Sequence, residues 1–219
     1  VVYNHVSNAE TFTAGHTALF DTWLQIRNEG GSTPQIVFFC GDNPATLESN
    51  MNTLFRTVYS EDNWEKYQEL FFTWEGKPLL FGNGNGVSAS MMKKINDKFT
   101  LRGSWAWTDN DNYWPWLQEY IMNSTGAYRP VNGGWGRDAR GNYESLSIAL
   151  GHHPTMSKGR TFVNGQQTNN GKNDMEFSSV YEAGLGTGFE FQFNAATSLI
   201  GKRVDEDKPF VLMITGWNE

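Results

Sequence analysis

The chain has 219 residues, enough for one domain with a sizeable core, and its 17 basic against 24 acidic residues give a formal charge of −7. That balance provides no phosphate-binding face and argues against nucleic acid as a partner. No apolar run nears the roughly 18 residues of a membrane span, and no signal-peptide pattern is read. The single cysteine, Cys40, excludes an internal disulfide and a cysteine-based metal cluster. Nine Trp, eight Tyr and fifteen Phe among few charged residues suit a chain that stacks aromatic faces on sugar rings.

Residues 1–4 read as the tail of a strand and 5–12 as a polar loop. Over 13–28, Ala14, Ala18, Leu19, Trp23 and Ile26 fall on one helical face, and Gly30-Gly31 ends that helix. Pro34 precedes a buried strand over 35–40, closed by Gly41-Asp42-Asn43. Pro44 suits the first turn of a helix whose apolar face is Leu47, Met51, Leu54, Phe55 and Val58. Trp64, Tyr67, Leu70 and Phe71 suggest more helix before a turn over 74–78 and a short strand over 79–81. Gly82-Asn83-Gly84-Asn85-Gly86 matches neither a Walker loop nor a dinucleotide fingerprint, and reads as a plain loop into a helix over 87–97.

A strand over 99–107 then runs into an Asp/Asn-rich loop and Tyr113-Trp114-Pro115-Trp116. Residues 128–141 form an irregular loop with Trp135, Arg137 and Asp138; 145–151 is a strand leading to His152-His153; 155–188 is a long polar excursion; 189–200 is a helix. The last run, 210–215, is unbroken by polar residues, as in a strand buried on both faces. Gly216, Trp217, Asn218 and Glu219 follow it, and a carboxylate at the carboxyl end of a buried parallel strand is where a (β/α) barrel places its chemistry.

Strands alternating with helices predict an α/β fold of the (β/α)8 TIM-barrel type, with 1–219 as a single catalytic-type domain. About six strands are read where a closed barrel needs eight. Both ends of the chain look cut inside a fold, so the barrel is expected to be incomplete.

The ending Ile214-Thr215-Gly216-Trp217-Asn218-Glu219 resembles that of barrel glycoside hydrolases distantly like the endo-α-mannosidase and mutanase groups. Ser7-Asn8-Ala9 is similar to a loop of the same group that often follows an aspartate, where this chain has Asn4. Phe189-Glu190-Phe191-Gln192-Phe193-Asn194-Ala195-Ala196 is also similar to the segment before the last strand. The resemblance implies a secreted or periplasmic barrel hydrolase that acts on polysaccharide or glycan.

Glycosidic cleavage generally needs two carboxyl groups, about 5–5.5 Å apart for retention and about 6.5–9.5 Å for inversion. Glu219 is the first choice for the acid/base, with Asp42, Asp109 and Asp111 available on the same strand edge. Asp42 also fits a helix-capping role before Pro44, and the Asp109/Asp111 loop also fits a turn or a weak Ca²⁺ site. Adjacent His152 and His153 on an extended segment point apart, which argues against one metal site; a hydrogen bond from His152 to a sugar hydroxyl or to Glu219 fits better. Trp105, Trp107, Trp114, Trp116 and Trp135 are too many for one core edge, so one or two should form a sugar platform while the rest pack. Trp217, Asn218 and Asn4 complete the expected substrate contacts. No cofactor and no metal is expected. The other reading is a carbohydrate-binding barrel remnant with aromatic platforms and no competent acid pair.

Overall fold

The computed structural model describes residues 2–5, 9–41, 43–106, 108–117, 119–132, 135–149, 162–163, 166–167, 187–203 and 209–215. The chain separates into two compact units, Val1–Gly103 and Ser104–Glu219.

In the first unit the order is β1 (Val2–His5), α1 (Ala9–Asn28), β2 (Ile36–Phe39), α2 (Pro44–Arg56), α3 (Glu61–Tyr67), a 3-10 turn (Gln68–Leu70), β3 (Thr73–Trp74), β4 (Lys77–Phe81), α4 (Ala89–Lys98) and β5 (Thr100–Arg102). β1, β2, β4 and β5 pair in parallel and in sequence, while β3 folds back antiparallel on the start of β4. Strand alternation puts Ile36, Phe38, Leu80 and Leu101 into one core with Phe20, Leu47, Met51, Leu54 and Ile95 from the helices. The alternate residues Val37, Leu79, Phe81, Thr100 and Arg102 are buried as well. Burial on both faces explains why these strands read as continuous apolar runs.

Helix α2 follows its proline and apolar-stripe signals, with the cap on Asn43 and not on Asp42. The Asn43 side chain accepts from the Thr46 amide, Pro44 fills the first turn, and Leu47, Met51 and Leu54 are buried. At the end of α1, Gly30 (φ 85°) and Gly31 donate back to the Arg27 and Ile26 carbonyls, the pattern of a Schellman cap. The face of α1 is met in part: Leu19 and Trp23 pack against the core. Ala18 and Ile26 are exposed, while His16 and Phe20 are buried. Phe20 sets the phase because its ring meets Tyr67 and Phe71 edge-on at 5.3 and 5.7 Å.

The second unit contains β6 (Glu119–Met122), β7 (Tyr128–Asn132), β8 (Gly136–Arg137), β9 (Tyr143–Ala149), β10 (Phe162–Val163), β11 (Gln166–Gln167), α5 (Thr187–Arg203) and β12 (Val211–Thr215). β9 and β12 are parallel, with β8 antiparallel on the other side of β9; β6–β7 and β10–β11 are separate antiparallel pairs. Its core joins Tyr120, Trp135, Leu146 and Ile148 to Ala195, Ala196 and Leu199 of α5.

The expected (β/α)8 barrel is not formed. The described strands fall into four separate sheets, and none of them closes. Closure needs one uninterrupted ladder around the ring, whereas here short antiparallel pieces (β3, β6–β7, β8, β10–β11) intervene between the parallel runs. The fold is a mixed α/β arrangement of small sheets and helices. Among the described residues no helix is long and apolar enough to cross a membrane.

Candidate functional site

The carboxyl ends of β9 and β12 lie side by side, with Thr215 in register with Ala149. His152 follows the first of these ends by three positions and Glu219 the second by four. His152, Trp217, Asn218 and Glu219 lie outside the described residues, as do Asp42 and Trp107. Asn4 lies on β1, paired in register with Phe38.

What packs against the end of β12 is the loop 104–117. The Thr215 hydroxyl donates to the Trp116 carbonyl at 2.7 Å. The loop doubles back on itself: the Ser104 hydroxyl donates to the Trp114 carbonyl at 2.9 Å, and the Trp116 and Leu117 amides both donate to the Ala106 carbonyl at 3.1 Å. Trp105 is therefore flanked by two tied residues. The residue is 48 % exposed, and its ring stands edge-on to that of Trp116 at 6.1 Å. A half-exposed indole whose chain neighbours are tied is suited to stacking on a sugar ring.

Trp114 and Trp135 pack. Trp114 is buried, and its indole N–H donates to a Glu144 carboxylate oxygen at 2.7 Å. Trp135, expected as a platform, is instead a core ring: it is buried, stacked on Tyr143 at 4.5 Å and met edge-on by Phe210. Its apolar area does more within that core than a face turned to solvent could.

Asp109 and Asp111 are exposed, and both bind Arg137, each through one oxygen at 2.8 Å. They do come together, but on a shared guanidinium rather than as an opposed pair of acids. Around them, the Arg137 amide donates to Tyr113 and the Asn112 amide to Asp138, fastening the loop to β8. Asn112 takes a positive φ of 61°, which asparagine tolerates better than most residues. Burial pushes the Tyr113 phenol up from its ordinary range.

Two acids were overlooked as partners in the sequence. Glu144 is buried on β9, and one of its carboxylate oxygens lies within 4.8 Å of one on Asp138. Asp138 closes the β8–β9 turn, accepting from the Arg140 and Asn142 amides and the Asn142 side chain. The signal for Glu144 was its phase: on an alternating strand it shares a face with Leu146 and Ile148, which are core residues. A carboxylate in that phase needs a buried donor, and the Trp114 N–H supplies one.

Comparison with known proteins gives no match to a family model, to a curated protein or to a solved structure.

Proposed function

We propose that the protein is a glycoside hydrolase acting on polysaccharide or glycan, with Trp105 beside Trp116 as the sugar platform and Glu219 as general acid/base. The observation that carries this reading is the 2.7 Å hydrogen bond from Thr215 to the Trp116 carbonyl. It ties the end of β12 to the loop that presents Trp105. Glu219 follows Thr215 by four residues, a reach of at most about 14 Å for extended chain. An aromatic face to bind a sugar and a carboxyl group to move a proton are the minimum that this chemistry needs. In this reading Asp109 or Asp111 supplies the opposing carboxylate, the Arg137 contacts fix its position, and the protein works in a secreted or periplasmic setting.

The second reading is a carbohydrate-binding module without turnover. The engagement of both Asp109 and Asp111 by one guanidinium favours it, since neither is then poised as a separate acid. Reducing-sugar release from α-mannan, α-glucan and β-glucan, with binding measured alongside, separates the two. For the hydrolase, Glu219→Gln should cut turnover by about 10²–10⁴-fold and leave binding intact, while Trp105→Ala should weaken binding. Binding without any turnover in the wild type would establish the module instead. A wild type that neither binds nor cleaves these polysaccharides ends both readings.

A further inference from the structure

We infer that Glu144 is a positioning residue that sets glycan affinity by holding Trp114, and through it the Trp105 platform; the inference rests on the carbohydrate reading above. Glu144 has no place in the proposed acid/base pair. It is 6 % exposed, and Trp114, whose indole N–H it accepts at 2.7 Å, is 1 % exposed. Neither group can exchange this bond for bulk water, so the pair has one favoured arrangement.

From Trp114 the constraint passes to the platform on both sides. The Trp114 carbonyl is held by Ser104, the residue before Trp105, and the Trp116 amide is held by Ala106, the residue after it. Trp116 in turn supplies the edge-on ring against which Trp105 rests. β9 therefore anchors the segment, and the segment places the exposed indole. An indole free to swing would lose side-chain freedom on meeting a sugar, and that loss would appear as weaker binding.

The test uses the full chain and the same three polysaccharides, with Glu144→Ala, Glu144→Gln, Trp114→Phe and the Glu144→Ala/Trp114→Phe double variant. Glutamine keeps an oxygen that can accept the indole N–H, phenylalanine removes the donor, and alanine removes the acceptor. Affinity for the best-bound polysaccharide should fall about tenfold in Glu144→Ala and in Trp114→Phe, and the double variant should be no weaker than either. Glu144→Gln should stay near wild type. Acrylamide quenching of Trp105, taken as the difference between each protein and its Trp105→Phe counterpart, should change in the two weak single variants and not in Glu144→Gln. Folded Glu144→Ala or Trp114→Phe protein with wild-type affinity and unchanged quenching overturns the inference. If Glu144→Ala does not fold, Trp114→Phe and Glu144→Gln decide by the same criteria. If the wild type binds none of the polysaccharides, the carbohydrate reading fails separately, and unchanged Trp105 quenching in Trp114→Phe still overturns the role given to Glu144.

Discussion

Gly136 shows what one residue does for the second unit. It lies on β8 opposite Ser145, and a Cβ there would stand 1.8 Å from the Ser145 hydroxyl and 3.1 Å from a Trp114 ring carbon. Only a residue without a side chain lets β8 approach β9 this closely beneath the indole. Gly136→Ala should therefore destabilise the protein by about 3 kcal/mol in chemical denaturation, as overpacking does. Ser145 is buried, and its hydroxyl has no partner among the described residues. Ser145→Ala should accordingly be near neutral or slightly stabilising by itself, and should recover part of the loss in the double variant. A Gly136→Ala protein as stable as wild type would contradict this packing.

At the scale of elements, α1 and α3 are joined by a small polar cluster. Lys66 and the Tyr67 hydroxyl both donate to one Asp21 oxygen, at 2.6 and 2.7 Å. Those two bonds, Lys66 first, hold the Asp21 carboxyl below its ordinary range. A lowered folded-state value means that the stabilisation is fully present above the unfolded carboxylate range, about pH 4, and is lost as pH falls through the lowered value. Asp21→Asn should lower the melting temperature slightly at neutral pH, and the difference from wild type should vanish in strong acid. Because the cluster is exposed, added salt should shrink it too. A difference that persisted unchanged in acid would assign the effect to packing instead.

The same scale shows why some elements were legible and others were not. The proline and the buried stripe of α2 are legible because both are local signals, whereas the cap falls on Asn43, one residue past the Asp42 that the sequence offers for it. α1 reads as a helix with only part of its face, Leu19 and Trp23, on the core, since the edge-on contacts of Phe20 with Tyr67 and Phe71 come from residues more than forty positions away. The runs behind β2 and β4 stand out because burial on both faces leaves no polar break, whereas β12 reads the same way and is only half-buried, with Ile214 exposed. β7 falls within the stretch that reads as irregular loop: it carries Arg129 and Pro130, and pairing with β6 rather than composition makes it a strand.

For the whole molecule, a correct list of parallel strands led to the wrong architecture. β1, β2, β4, β5, β9 and β12 are all present and each has a parallel neighbour, yet they belong to two units and to sheets that stay open. Hydrophobic runs report how deeply a strand is covered; they do not report which strand it lies beside, and that relation separates a barrel from a set of small sheets. The candidate site was legible to a similar depth. Trp105 is one of five tryptophans that the sequence offers as a platform, and composition does not say which of them is exposed, whereas the Glu144–Trp114 bond joins residues thirty positions apart and leaves only a misplaced charge as its trace.

Among the described residues β12 has a strand neighbour on one flank alone, and strands of this kind are where another molecule's strand can add. Val211-Leu212-Met213-Ile214-Thr215 contains neither charge nor proline to discourage such an encounter, and Ile214 is 46 % exposed. Concentrated protein should consequently scatter light more with time, and Ile214→Lys should suppress that scattering while leaving the melting temperature nearly unchanged. Equal scattering from both proteins would show that this border is already sealed in solution.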